Sequence, residues 1–125
     1  MSEDLMNISL SKHASGVADS LMETKAFDDA LTVAKFGMAY AVKYYMNELD
    51  TLEKLDALGE CYDSLGKNYN VGSVDSDHYI ADLMFLLYPG ITTPYRYARI
   101  LMCYGLNKLG DRFEDNQFLP ISSNM

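Results

Sequence analysis

The sequence has no tryptophan, only two cysteines and three prolines in 125 residues. Cys61 and Cys103 lie far apart and match no metal-ligand spacing. Lone cysteines point to a reducing, intracellular setting, and a chain of this length buries a core without disulfides or metal. The acidic start MSEDLMN has no apolar segment of the export type, and the longest apolar run, LMFLLY (Leu83 to Tyr88), is far too short to cross a bilayer. A soluble, cytoplasmic protein is the expectation. Also missing are Gly-x-Ser-x-Gly, Cys-x-x-Cys and any phosphate-cradling glycine-rich loop. No residue is assigned a catalytic role, no cofactor is implied, and no small-molecule substrate is evident.

What remains is an ordinary globular composition. Hydrophobic residues make up 49%, enough for one core, so a single domain over 1–125 is expected, with 1–5 and 114–125 loosely held. Ten tyrosines and eight methionines suit adaptable interfaces and also fill ordinary cores. Net charge is −8, which argues against a large electrostatic footprint on nucleic acid. The charge is unevenly placed. Residues 48–82 carry nine acids against two bases, whereas residues 83–125 carry three acids against four bases and hold all three arginines.

Periodicity gives the elements. Met6, Ile8 and Leu10 alternate with Asn7, Ser9 and Ser11, which reads as a short strand with the polar three on its outer face. Ser11 can cap a helix over 12–24. Asp28 or Asp29 can cap a longer helix over 30–49, which has no charged residue from Phe36 to Val42 and is therefore expected to be buried on most sides. Gly37, Ala39 and Ala41 would let a neighbouring backbone approach. Leu52, Leu55 and Leu58 predict a helix ending near Gly59, followed by a loop with a brief extended piece at Tyr69 to Val71. Asp75, Ser76 or Asp77 would cap a helix from His78 to Tyr88. Thr93 as N-cap, Pro94 at the first helical position and Gly110 as the terminating glycine frame the last helix. The fold class is mainly α, with four to five helices and one short N-terminal strand.

Two constellations carry chemical meaning. Asp75, Asp77, His78 and Asp82 could approach a cation, but acids before a helix are favoured for capping alone, so no metal site is assigned. PYRYAR (Pro94 to Arg99) places Arg96 and Arg99 on one helix face beside Tyr95 and Tyr97, in the first turns of a helix, where free N–H groups favour an anion. Lys108 and Arg112 extend the basic character. Phosphate or nucleic-acid contact is one reading; pairing of these arginines with the acidic middle segment is the other.

The strand and two helices over about residues 6–49 resemble the ribbon-helix-helix superfamily. That resemblance implies a homodimer whose strands pair into a ribbon, with outward residues, here Asn7, Ser9 and also Ser11, with Lys12 just beyond, facing DNA. Where the family grips a phosphate, this chain has FDD (Phe27 to Asp29), whose carboxylates repel one. The second half is similar in character to small bacterial or phage DNA-associated accessory proteins. The resulting expectation is a non-enzymatic, DNA-associated accessory or regulatory protein. DNA contact would come from Arg96, Arg99, Lys108, Arg112, Asn7, Ser9 and Lys12. The homodimer interface would use Met6, Ile8, Leu10, Phe36, Tyr40 and Tyr44. The alternative is a protein–protein interaction or scaffolding module of a larger intracellular assembly, using tyrosine- and methionine-rich surface and the acidic region 48–82.

Overall fold

A computed structural model describes residues 4–25, 27 and 29–114. The looseness expected of 1–5 and 114–125 falls largely outside these residues, as does Asp28 as a helix cap. The described chain is mainly helical, with six α-helices and one two-stranded sheet.

Local chemistry sets most of the boundaries. β1 (Asn7–Ser9) leads into α1 (Lys12–Glu23), where the Ser11 hydroxyl accepts from the Ala14 N–H at 3.1 Å. Capping takes Ser11 out of the strand's polar face and buries it, a correction to its expected outward position. α2 (Ala30–Tyr45) begins after Asp29, whose carboxylate accepts from the Thr32 N–H at 2.8 Å. That bond and a second one from the Thr32 hydroxyl hold the Asp29 carboxyl below the usual carboxylate range. A 3₁₀ turn (Met46–Glu48) leads to α3 (Leu52–Cys61), capped by Thr51. β2 (Asn68–Asn70) and a single turn, α4 (Val71–Val74), follow. Asp75 then organises α5 (Tyr79–Leu87). It is only 2% exposed, and its carboxylate accepts from the Ile80 and Ala81 N–H groups and from the Tyr95 hydroxyl. A buried carboxylate with its lone pairs so occupied is stable where an unpaired one would not be.

The last helix, α6 (Pro94–Glu114), is the axis of the fold. It packs against α1, α2 and α5, and its residues from Ile100 to Leu106 are buried. The tightest contact is with α2. A Cβ on Gly105 would lie 1.7 Å from the Gly37 carbonyl oxygen, so the two backbones touch where neither residue has a side chain. Gly37 thus allows the close approach expected of it, while Ala39 faces solvent. Gly110 does not terminate α6. The helix continues to Glu114, and Gly110 is buried against Val17, where a Cβ would sit 2.6 Å from that side chain.

β1 finds its partner inside the same chain. It pairs antiparallel with β2 in the register Asn7–Asn70, Ile8–Tyr69 and Ser9–Asn68. Ile8 and Tyr69 point into the core; Asn7, Ser9, Asn68 and Asn70 lie on the outer side. Ile8 and Leu10, expected at a dimer interface, are fully buried within the single chain, because β2 and α6 already cover them. No helix among the described residues is long and apolar enough to cross a membrane.

Candidate functional site

The predicted basic surface lies on α6, and the structure divides it. Arg99 is a staple. Its Nε donates to the Ser9 carbonyl at 2.6 Å, and its Nη2 donates to the carbonyls of Tyr62 and Asp63 and to the Ser64 hydroxyl. One guanidinium thereby ties β1 to the segment after α3. Lys108 lies between the rings of Tyr45 and Tyr104, 5.3 Å from each centroid. Arg112 donates to the Tyr40 hydroxyl at 2.7 Å. Three of the four α6 cations are therefore engaged inside the chain. The carboxylates of the acidic middle segment, expected to pair with these arginines, are not their partners; backbone carbonyls, hydroxyls and aromatic rings are.

The amino end of α6 is also taken. The carboxylate of Asp4 accepts from the Tyr95 and Arg96 N–H groups at 2.9 and 3.0 Å, so the anion favoured there is one of the chain's own. The Arg96 guanidinium is exposed and makes no hydrogen bond or ion pair among the described residues. With Arg99, Asn7, Ser9 and Ser64 it lines a cavity of about 180 Å³ that holds no acid. The neighbouring cavity, of about 330 Å³, sets the same two arginines against Asp56 and Glu60. Ser9 Oγ is spent on Asn68, 2.8 Å away. Lys12 lies elsewhere, on an open depression with His13 and Asp63.

The aromatic residues expected at an interface are also separated. Tyr40 is buried, whereas Phe36 and Tyr44 are exposed and Met6 is 80% exposed. Phe27, Phe36, Tyr40 and Tyr44 form a chain of tilted ring contacts, with centroids 5.0 to 6.3 Å apart. The uncharged middle of α2 is thus covered on only part of its circumference, a correction to its expected burial: α6 lies against Gly37 and Ala41 is buried, while Phe36 and Ala39 face outward.

A second site escaped the reading of the sequence. Where α2 and α5 both rest on α6, they border a groove of about 420 Å³. Met38, Val42, Ile80 and Leu83 give it an apolar floor; Lys35 and Lys43 stand on the α2 side and Asp77 on the α5 side. Tyr79 also lines it and is exposed, and α5 leaves Phe85 and Leu86 exposed as well, Leu86 at 78%. Two signals were available. YIADLMFLL holds a single charge, more apolar surface than one buried face can use, and no acid occurs from Ala30 to Asn47 although the chain is strongly acidic.

No family model, curated protein or solved structure matches this chain.

Proposed function

We propose that this chain is a non-enzymatic protein-binding module, and that the face formed by α2 and α5 receives a segment of a partner protein. The observation that carries the reading is an apolar groove lined in part by the exposed Tyr79, on a helix that also leaves Phe85 and Leu86 exposed. Large apolar side chains grouped at a concave surface gain most when another protein covers them. A random 12-mer peptide library panned against the full chain tests the reading. Enriched peptides are expected to lose binding to the variant Ala39→Gln, which fills the groove from an exposed helical position. Absence of any enriched sequence, or binding that ignores this variant, overturns it.

A DNA-associated role is the second reading, supported by the cavity that Arg96 shares with Asn7 and Ser9 on the outer side of the β1–β2 ribbon. It requires affinity for duplex or single-stranded DNA that falls steeply with salt, with a slope reduced by about 1 in Arg96→Ala. No binding at low salt removes it. Of the two, the protein-binding reading is better supported, because Arg99, Lys108 and Arg112 already have partners within the chain.

A further inference from the structure

The groove between α2 and α5 has walls of opposite charge, and this limits what can lie in it. On the α2 side Lys35 and Lys43 are two turns and a little more apart, about 12 Å along the helix. Neither has a carboxylate within 4 Å among the described residues, whereas Lys54 and Lys67 are paired with Asp50 and Asp19. The Lys43 ammonium lies 5.4 Å from the centroid of the single Tyr44 ring and its side chain is exposed, whereas Lys108 is half-buried between two rings, so Lys43 stays available to an anion. On the α5 side Asp77 accepts the Tyr79 N–H and stays exposed, while Asp75 is buried with its oxygens occupied. The floor between these walls is aliphatic.

We infer that the occupant is an amphipathic helical segment of a partner protein that puts apolar side chains on the floor and carboxylates on the flank facing α2. The inference rests on the protein-binding reading above and narrows it. A helix lying along α2 with acids at i and i+7 or i+8 spans the distance from Lys35 to Lys43. Asp77 repels the same helix rolled the other way, so the charges fix its orientation as well as its affinity. Apolar contact supplies the binding and the two lysines supply the choice among apolar partners.

The peptides enriched on the full chain provide the test. They are expected to carry an apolar stripe with acids on one flank only. Their affinity should fall about tenfold or more in the double variant Lys35→Glu, Lys43→Glu, and a peptide with its acids changed to lysine should regain binding to that variant. Both substitutions lie on an exposed helical surface, and circular dichroism checks that the variant stays folded. Peptides lost on Ala39→Gln but indifferent to the lysine reversal overturn the inference and leave the protein-binding reading standing. Failure of the charge-swapped peptide to recover binding overturns it equally. Peptides that also ignore Ala39→Gln overturn both.

Discussion

Two helices of this chain carry cations and no acid over most of their length, yet their charges are used in opposite ways. On α6, Arg99 is bonded to Ser9 and to the segment from Tyr62 to Ser64, Lys108 lies between two tyrosine rings, and Arg112 holds Tyr40. On α2, Lys35 and Lys43 have no carboxylate within 4 Å among the described residues and border an apolar groove. The helix that looks like a binding surface in the sequence is a structural axis, and the helix that looks like pure core keeps its cations for solvent. Charge sign and spacing are local properties; engagement is decided by what the rest of the chain brings alongside.

Breaking the contact between these helices should have the largest effect. In Gly105→Ala the new methyl meets the Gly37 carbonyl, which cannot turn aside, so α2 and α6 must separate. A loss of about 3 kcal/mol is expected, on the order of 10 °C in melting temperature, read by thermal denaturation. Arg99→Ala comes next, at about 2 kcal/mol, because several acceptors lose a charged donor together. Its neighbour Arg96→Ala should shift stability by no more than about 0.5 kcal/mol. Equal losses for the two arginines in urea titrations would erase the contrast between them. Lys108→Ala is expected to cost about 1 kcal/mol through its lost ring contacts. The pair Lys35→Ala with Lys43→Ala should leave stability within about 0.5 kcal/mol of the parent.

Alkaline pH probes the interior that both helices share. Burial pushes the hydroxyls of Tyr62, Tyr69 and Tyr88 up to about 12. Their pKa values are higher folded than unfolded, so their contribution is fully present below about pH 10, the ordinary tyrosine value, and is lost as pH rises toward 12. Melting temperature should therefore hold up to about pH 10 and fall beyond it. A flat profile to pH 12 would contradict the burial of these hydroxyls.

Much of the helical framework was legible because capping is a local event. Ser11 and Asp29 each announce a helix start with one side chain, and both do so in the structure. The first strand was legible from alternation, but its partner was not. Period two says which face is buried and is silent about which segment pairs. The extended piece expected at Tyr69 to Val71 lies close to β2 at Asn68–Asn70, but nothing in its three residues points to β1 as the partner. Gly110 misled for a related reason. A glycine near a helix end reads as a terminus, whereas here it makes room for Val17 across a helix contact. The candidate site shows the same limit. Arg96 and Arg99 are three residues apart with the same composition around them, and only Ser9, Tyr62 and Ser64, distant in sequence, make one of them structural.

The link from Asp4 to the first turn of α6 spans more than ninety residues, and it bears on how the chain reaches this state. During synthesis residues 4–11 emerge well before their partners: the Lys67 carbonyl and the Val71 amide flank β2, and the Tyr95 and Arg96 amides and the Arg99 guanidinium belong to α6. Asp4 and Ser9 have no partner in α6 until that helix has been made. Such sequence-distant closures slow assembly and make it concerted. A nascent chain halted before Tyr95 would lack the last-made half of that junction, leaving β1 without the helix that secures it.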